Sequence, residues 1–492
     1  MKKVVIVGSG AAGLISAAFM HRFWDDNVQI KLIYDKNNKN IAVGESTTPI
    51  IHKIIDLIGL DLKDIFDIGT TVKLGVNFKD WILDSEYFHG FREVDPQPEG
   101  FFANIRSDET SAIYSILNDC FNGGPAFSKP HTTLPSLNLN DYGHAFHIDT
   151  QKFLDLLFDF LQRKIEFIDD IVENVNVDGQ NIVSIECKNN GIIDGDFFVD
   201  ASGFNCVLFK HLNPKWIDTS SALPLNRAIP QQVPNDMQDL PAYTLSQATK
   251  NGWIWRIPIG DRFGTGYLYS SKFTSDEEAR EEYNSWLVDN FDIKLHTDRI
   301  IKYNPGYYYD NCIGNCLAVG LSAGFVEPLE STSIHLIADQ IYHLLVFDSN
   351  LNNLPKTIKH INQLNRETYE EIVNFLCLHY AGNRTDSKFW EYMTNNKIEW
   401  VKDFEEKCAR EFLDASVFDN KRNTVWAMNS YVQVAHGLNL FNKDSIREFL
   451  EIKPNGQAIL DYAEEIYDYE EKWKNDRDKF WVSHERVLEQ NK

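Results

Sequence analysis

The sequence has few basic residues for its length. Its 492 residues include 48 lysines and arginines against 72 acidic residues, which gives a formal net charge of −24. Phosphate recognition depends on lysine and arginine, so this balance argues against a nucleic-acid partner and against an anionic membrane surface. Long apolar runs are also lacking outside Val4 to Met20, a stretch whose glycines have another explanation below. We expect a soluble protein with no membrane partner.

The sequence also lacks paired cysteines. Cys312 and Cys316 have no matching second pair, so neither a disulfide framework nor a tetrahedral metal set is predicted. We expect buried thiols in a reducing compartment, which favours a cytoplasmic location, and no bound metal. The seven cysteines are Cys120, Cys187, Cys206, Cys312, Cys316, Cys377 and Cys408. The histidines without partner spacing for a metal are His335, His343 and His379.

A glycine-rich turn follows the first apolar segment. Val4–Val7 is a predicted strand, a helical pattern runs to about Trp24, and Val28–Tyr34 is a second predicted strand. Between the first strand and the helix lies Gly8-Ser9-Gly10-Ala11-Ala12-Gly13. In this strand, turn and helix context the spacing is typical of a dinucleotide site. The alternative is a glycine-rich turn in an unrelated α/β unit.

Each glycine of this turn has a distinct use. Gly8 permits the tight turn, Gly10 lets the backbone approach a pyrophosphate, and Gly13 lets the helix pack closely on the strand. The helix N-terminus offers free N–H groups to the phosphates. An acid that binds the ribose should end the second strand. That slot falls on Tyr34, so Asp35 is the predicted substitute.

Two later strands also end in glycine-bearing turns. Asp200-Ala201-Ser202-Gly203 follows one, and Leu317-Ala318-Val319-Gly320 forms another. They predict an α/β fold: a Rossmann-like FAD-binding domain of the flavin-monooxygenase type, with an inserted β-sheet substrate region and a C-terminal helical region. The predicted domains are 1–340, with insertions at about 70–150 and 204–310, and a mainly helical 341–492 that covers the substrate pocket. A second GxGxxG before a helix is lacking, so one bound dinucleotide is predicted.

Local patterns also place individual elements. A helix is predicted at about 153–163 and in the charged segment 461–479. Strands are predicted at 165–168, 182–187, 197–199, 253–258 and 265–269, with Gly264-Thr265-Gly266 between strands.

Five separated segments, together with the glycine turn, resemble the flavin-dependent halogenases of the tryptophan-halogenase type. The resemblance covers about residues 1–440. One segment carries a WxWxIP pattern, and another reads GFVEPLESTSI. The segments are Gly44-Glu45-Ser46-Thr47, Val72–Val76 with Phe78 and Trp81, Gly252–Pro258, Gly324–Ile334, and Phe375–Trp390.

The resemblance implies a two-component enzyme. A separate reductase supplies FADH2, which reacts with O2, and halide is converted to hypohalous acid beside the flavin. The electrophile then travels to a lysine near a small aromatic substrate. By the match of motifs, Lys73 is that lysine, Glu330 and its neighbour Ser331 are the further catalytic residues, and Thr332 and Ser333 bind halide. The residues expected to bind FAD are Gly8, Gly10, Ala11, Ala12, Gly13, Asp35, Gly44, Glu45, Ser46, Asp200, Leu321 and Ile334.

Residue chemistry supports these roles. An ammonium can hydrogen-bond hypohalous acid and polarise it, whereas a desolvated neutral lysine could form a haloamine. Glu330 can pair with Lys73 or stabilise the cationic ring intermediate. Trp253 and Trp255 are expected on one strand face, as a barrier between flavin and substrate or as packing alone.

One position departs from the family pattern. After Glu-Ser-Thr the family has glycine, and this chain has Ser333. Because glycine permits backbone geometries that serine resists, we hypothesise an altered halide preference, with tolerance for bromide or iodide.

The sequence leaves several alternatives open. The expected reaction is FADH2-dependent halogenation of an electron-rich aromatic of the indole or phenol type. A two-component flavin hydroxylase and a flavin-binding protein without turnover are the alternatives, and Lys73 with Glu330 favours halogenation over both. Whether the substrate is free or carrier-bound stays open, as do halide preference and homo-oligomer formation.

Overall fold

The structure, a computed structural model, describes most of the chain. The described residues are 1–24, 28–37, 44–91, 144–235, 240–348, 351–410, 425–442, 444, 445, 448 and 452. Cys120, most of the predicted insertion 70–150 and the predicted helix at 461–479 lie outside them.

The described strands and helices follow the chain in this order. The strands are β1 Lys2–Val7, β2 Val28–Tyr34, β3 Glu45–Ser46, β4 Thr71–Lys73, β5 Gly75–Lys79, β6 Glu86–Gly90, β7 Ala145–Ile148, β8 Glu166–Asp169, β9 Val172–Asp178, β10 Asn181–Cys187, β11 Gly191–Asp194, β12 Phe197–Asp200, β13 Trp216–Asp218, β14 Arg227–Pro234, β15 Thr244–Ala248, β16 Gly252–Ile259, β17 Arg262–Tyr269, β18 Ile301–Lys302, β19 Gly306–Tyr308, β20 Cys312–Ile313, β21 Cys316–Ala318 and β22 Gly324–Phe325. The helices are α1 Ala11–Trp24, α2 Ile50–Ile58, α3 Leu62–Asp67, α4 Thr150–Leu161, α5 Asp276–Phe291, α6 Ser333–Phe347, α7 Leu354–Leu378, α8 Lys388–Asn395, α9 Glu399–Arg410 and α10 Met428–Gly437.

The chain divides into two compact units, each built from three segments. Unit 1 comprises Met1–Thr70, Ile148–Ser220 and Tyr303–Glu370, and unit 2 comprises Thr71–His147, Ser221–Lys302 and Glu371–Lys492. The predicted domain limit at 340 lies inside α6, where continuous helical hydrogen bonds join both sides. The functional assignment of the predicted domains stays a prediction.

Unit 1 is built on a six-stranded sheet in the order β20-β21-β12-β1-β2-β8. The five strands from β21 to β8 are parallel, and β20 adds an antiparallel edge. Helices cover both faces of a parallel sheet, so its strands are apolar on both sides. Continuous apolar runs such as Val4–Val7 therefore form these strands. The carboxyl ends of β21, β12, β1 and β2 therefore lie at one edge.

Unit 2 is built on a seven-stranded sheet in the order β18-β14-β17-β16-β15-β5-β6. Strands β16 and β17 form a long antiparallel pair, and β15 joins β16 to β5. The short strand β4 pairs antiparallel with β7. Gly264-Thr265-Gly266 lies inside β17, so the expectation that it separates two strands is wrong.

The α/β prediction is confirmed, and helices dominate the described part of the C-terminal region. The second predicted strand, Val28–Tyr34, has the observed bounds. The helix predicted from Phe153 begins earlier, at Thr150, because the Asp149 carboxylate accepts from the N–H groups of Gln151 and Lys152. Among the described helices, none is both long and apolar enough to cross a bilayer.

Candidate active site

The glycine turn after β1 lies where only glycine fits. Gly8 has φ +116°, and a Cβ there would overlap the carbonyl of Ala201. A Cβ on Gly13 would overlap the carbonyl of Gly8. Strand pairing sets this closeness, since Val7 lies opposite Asp200 and the Ala201 N–H donates to the Val7 carbonyl at 2.9 Å. The turn and the Asp200 segment therefore meet at one sheet edge.

Helix α1 presents its N-terminus at the same edge. Its first intrahelical hydrogen bond runs from the Leu14 N–H to the Gly10 carbonyl, at 3.0 Å. The N–H groups of Ala11, Ala12 and Gly13 precede that bond, so they have no intrahelical acceptor. Such donors, with the positive end of the helix dipole, suit a pyrophosphate. A cradle from which side chains are excluded by overlap fits a dinucleotide.

The Asp200 carboxylate holds neighbouring loops together. One oxygen accepts from the Ser202 N–H at 3.1 Å, from its hydroxyl at 2.5 Å and from the Ser322 hydroxyl at 3.1 Å. The other accepts from the N–H groups of Leu208 and Phe209 at 2.7 and 2.8 Å. Asp200 is fully buried. The carboxylate thus shapes the sheet edge, and its contact with FAD stays a prediction.

The turn that carries Leu321 lies beside helix α1. Gly320 has φ +61°, and a Cβ there would lie 2.9 Å from the Ala12 Cβ. The Gly320 N–H donates to the Gln340 side chain of α6 at 3.0 Å. Helix α6 also packs against α1. This turn thus joins the start of α1 to α6, the helix that contains Ile334.

The end of β2 has two different side chains. The Tyr34 ring packs edge-on against Phe158 and Phe167, with centroids 5.7 and 6.1 Å apart. Tyr34, which stands at the position expected for a ribose-binding acid, is therefore part of the packing between β2 and its neighbours. Asp35 follows directly, and its Oδ1 accepts from the Asn37 N–H at 2.9 Å.

The segment Gly44-Glu45-Ser46-Thr47 also lies in unit 1. Gly44 has φ +88°, and Ser46 and Thr47 are buried. Burial raises the pKa of the Glu45 carboxyl to about 7. The neighbouring Thr48 hydroxyl lies 3.4 Å from His335 Nδ1, which links this segment to α6.

The PLEST segment leads into the N-terminus of α6. Glu330 is fully buried, and Ser331 has φ +63°, a conformation that a residue other than glycine rarely adopts. Thr332 is the N-cap residue, and Ser333 is the first helical residue. The first N–H groups of α6 therefore have no intrahelical acceptor and suit an anion.

The conformational argument about Ser333 is wrong. Ser333 has the right-handed helical conformation, which serine adopts without strain, so no glycine is needed there. The strained residue is Ser331, two positions earlier. An altered halide preference therefore has no basis in the backbone of Ser333.

Lys73 lies in unit 2, at the end of β4. Its side chain is fully buried, and its Nζ lies 4.6 Å from the centroid of the Phe91 ring. An ammonium over a ring face is attracted by the quadrupole of the ring. The lysine therefore has an aromatic side chain directly beside it.

Further aromatic rings continue from Phe91. The His89 ring lies 6.0 Å from Phe91 and 5.6 Å from Phe375. Phe375 packs against Trp426 at 4.2 Å and Tyr431 at 4.8 Å. His89 and Phe91 are two residues apart, but the spacing along the chain does not indicate their contacts with Phe375, Trp426 and Tyr431. We call His89, Phe91, Phe375, Trp426 and Tyr431 the aromatic cluster.

The two tryptophans of the WxWxIP segment lie side by side on β16. Both are buried, and their ring centroids are 6.3 Å apart. A Cβ on Gly266 of the paired strand would overlap the Trp255 ring, so that ring lies across β17. Trp253 and Trp255 therefore form one continuous aromatic surface.

The segment Phe375–Trp390 packs against Trp81. The Trp81 ring lies 5.1 Å from Tyr380 and 5.8 Å from Trp390. The Arg384 guanidinium lies 4.2 Å from the Trp390 ring and pairs with Asp386. Two of the segments that carry the family resemblance thus form one packed group in unit 2.

The six described cysteines are all free and buried. Burial raises the pKa of the Cys187 thiol to about 11 and of the Cys206 thiol to about 12, so both stay protonated. Within the described ranges, no group of three or more histidine, cysteine or acidic side chains could hold a metal ion.

Comparison with known proteins points to one family. Residues 3–452 match the family described as tryptophan halogenase. The chain is 28% identical over 483 residues to the tryptophan 7-halogenase of Lentzea aerocolonigenes, covering 89% of each. It is 30% identical over 421 residues to the tryptophan 6-halogenase of Streptomyces toxytricini, covering 79% of this chain and 80% of the relative.

Solved structures agree. A flavin-dependent halogenase from Xanthomonas campestris superposes with a TM-score of 0.85 at 25% identity, covering 99% of this chain and 98% of that one. The Streptomyces toxytricini enzyme superposes with a TM-score of 0.82 at 25% identity, covering all of both chains.

Proposed function

The chain belongs to the tryptophan halogenase family, and we propose that it halogenates an electron-rich aromatic substrate of the indole or phenol type, using FADH2, O2 and halide. The observation that carries this proposal is Lys73, a fully buried lysine whose ammonium lies 4.6 Å from an aromatic ring centroid. The same cluster of rings suits a flat aromatic substrate.

In this proposal the edge of the unit 1 sheet holds the flavin. The N–H groups of Ala11, Ala12 and Gly13 bind its pyrophosphate, and Gly8 permits the close approach of the turn to the Ala201 carbonyl. Asp200 keeps the Ser202 loop in place. When bound as FADH2, the flavin supplies two of the electrons that reduce O2, and oxidation of halide to hypohalous acid supplies the other two.

The halide site is proposed at the N-terminus of α6. The N–H groups that follow Thr332 and Ser333 donate to the anion, and the helix dipole adds a favourable field. The strained φ of Ser331 fits a functional turn, because such conformations persist where surrounding structure fixes them.

Lys73 is the proposed delivery group. Its ammonium donates to hypohalous acid and withdraws electrons from the halogen, which makes the halogen more electrophilic. A ring carbon of the substrate attacks the halogen, and the hydroxyl oxygen leaves as water after taking up a proton. Glu330 assists by stabilising the cationic ring or by accepting the proton that the carbon loses.

The remaining roles concern selectivity and supply. Trp253 and Trp255, whose rings pack together, are the proposed barrier that prevents direct transfer of oxygen to the substrate ring. FADH2 comes from a separate reductase, as the family resemblance implies, and the single GxGxxG motif before a helix fits one bound dinucleotide. We propose a cytoplasmic location, which the reduced buried thiols support.

The test combines a reaction panel with a Lys73→Met variant. FAD, a flavin reductase, O2 and each halide are supplied with indoles and phenols, and products are read by mass spectrometry. We expect halogenated product from the wild type and at least a roughly 100-fold lower rate from Lys73→Met, since the ammonium is lost.

Methionine has a similar volume and carries no charge, and urea unfolding of the variant checks that it remains folded. Lys79→Met is the matched control, because Lys79 is exposed on neighbouring β5. Hydroxylated products alone would support a hydroxylase instead. An undiminished halogenation rate in Lys73→Met would defeat the assignment of the lysine.

A further inference from the structure

A buried histidine fixes the strand that carries Lys73. We propose that His147 is a positioning residue, which sets the place of the Lys73 ammonium through hydrogen bonds to Thr71 and Thr244. The consequence for halogen delivery rests on the function proposed above.

Strand β4, which carries Lys73, is too short to be stable through its own pairing. β4 has three residues, and pairing with β7 sets Thr71 opposite His147 and Lys73 opposite Ala145. Short strands are marginal without further support. The fully buried Lys73 adds the unfavourable desolvation of a charge. Additional contacts must therefore keep β4 in place.

The hydrogen bonds of His147 have a defined direction. The Thr71 hydroxyl donates its single proton to the Pro258 carbonyl at 2.7 Å. It can therefore only accept from His147 Nδ1, which lies 3.1 Å away. His147 Nε2 lies 2.9 Å from the Thr244 hydroxyl, from which it accepts when the ring is neutral. His147, Thr71 and Thr244 are all buried.

This network joins the strands around the lysine. Thr244 begins β15, and Pro258 lies in β16, the strand of Trp253 and Trp255. Thr71 and Lys73 are two residues apart, so their side chains share one face of β4. The network therefore locks β4 against β15 and β16 at the residue that immediately precedes Lys73 on that face.

Delivery of a halogen depends on the position of one nitrogen. A displacement of about 1 Å can reduce the rate of an oriented reaction about 100-fold. Hypohalous acid that Lys73 does not hold correctly would escape into solution. Loss of the network should therefore change where the halogen goes, while halide oxidation in unit 1 continues.

The first experiment uses Thr71→Val, which keeps the side-chain shape and removes the hydroxyl. It measures how the oxidised halogen divides between halogenated product and hypohalous acid released into solution. Halogenated product is compared with hypohalous acid captured by a small-molecule trap. We expect the ratio of product to trapped halogen to fall at least tenfold, with total oxidised halide per FADH2 unchanged within twofold. The matched control is Thr265→Val, since Thr265 is equally buried in unit 2 but contacts Tyr283. An unchanged ratio in Thr71→Val would overturn the proposal.

Two variants of the histidine separate its bonds. An asparagine amide nitrogen comes near the place of His Nδ1, so His147→Asn should keep the bond to Thr71 and retain most of the ratio. A glutamine amide comes near the place of Nε2, so His147→Gln should lose the Thr71 bond and behave like Thr71→Val. Equal ratios in the two variants would contradict a positioning role through Thr71.

A structural measurement decides the proposal without turnover. In a crystal structure of Thr71→Val we expect the Lys73 Nζ to shift by about 1 Å or more from its place 4.6 Å from the Phe91 centroid. An unshifted Nζ would overturn the proposal. If the wild type oxidises no halide, the proposed function fails, and this measurement still decides whether His147 positions Lys73.

Discussion

Fully buried charged side chains mark the chemistry of this protein at the residue scale. Lys73, Asp200, Glu327 and Glu330 are each 0% exposed. A buried charge is retained only when other groups compensate for the lost water. For Asp200 five donors provide that compensation, and the carboxylate then organises the sheet edge.

Glu45 gives the pH prediction. Burial raises its pKa to about 7 in the folded chain, above the 4.5 of an unfolded glutamate. The folded state therefore binds more protons between these values, and its free energy of unfolding falls as pH rises from about 4.5 through 7. Because the Glu45 side chain is only half-buried, water weakens the effect. We expect the free energy of unfolding to fall by about 1–3 kcal/mol over this pH range.

Urea unfolding at pH 5 and pH 8.5 measures this effect in the wild type and in Glu45→Gln. In Glu45→Gln the free energy of unfolding should differ less between pH 5 and pH 8.5 than in the wild type, because glutamine does not titrate. Glu166→Gln, on the exposed end of β8, is the control. The same pH dependence in wild type and Glu45→Gln would show that Glu45 is not responsible.

At the scale of elements, turns rather than strands make the site. β1, β12 and β21 end side by side, and each is followed by a turn that approaches helix α1 or its neighbour. The backbone of these turns can approach neighbouring segments closely only at glycines, which have no side chain. Gly320 combines a left-handed φ with a neighbouring side-chain atom, the Ala12 Cβ, at 2.9 Å from an added Cβ.

Gly320→Ala separates these two effects. Gly179 has nearly the same φ, +60°, but an added Cβ there would meet nothing within 4 Å, so Gly179→Ala carries only the backbone penalty of about 1–2 kcal/mol. Gly320→Ala adds the contact with Ala12, and we expect about 1–2 kcal/mol more destabilisation. It should also weaken FAD binding, since α1 must move. Urea midpoints and FAD titration check both, and equal midpoints would contradict the packing account.

At the scale of the whole molecule, the charge of −24 describes the surface rather than the sites. The two proposed ligands, a pyrophosphate and a halide, are both anions. In the proposal they bind to local N–H groups at the N-termini of α1 and α6, where the helix dipole is positive. We therefore expect two separable effects of salt: every salt screens surface repulsion, and a halide in addition binds at the proposed site.

Thermal unfolding can distinguish these effects. At ten times its dissociation constant a halide stabilises the folded state by about 1.4 kcal/mol, so we expect a rise of order 1–3 °C in the unfolding temperature. Sodium chloride or bromide is compared with sodium methanesulfonate at equal ionic strength, with FAD bound in each case. Identical unfolding temperatures in all salts would argue against a halide site at α6.

Features that depend on neighbours along the chain could be predicted from the sequence. The turn from Gly8 to Gly13, the strands around it and the α/β class follow from spacing within a few residues, so local patterns predict them. The motif match also indicated the family, which the comparisons confirm, while the roles of Lys73 and Glu330 stay predictions. Tyr34 in place of an acid was likewise visible, but not its packing against Phe158 and Phe167.

The contacts between distant residues became visible in the folded chain. The tertiary structure placed Phe91 beside Lys73, put Phe375 and Trp426 in one aromatic cluster with His89, and showed that the Asp200 carboxylate is fully used by loop donors. Neither the His147 network nor the helical conformation of Ser333 has a local signature. Such contacts depend on strand register and side-chain packing across hundreds of residues, which the spacing of a motif does not encode.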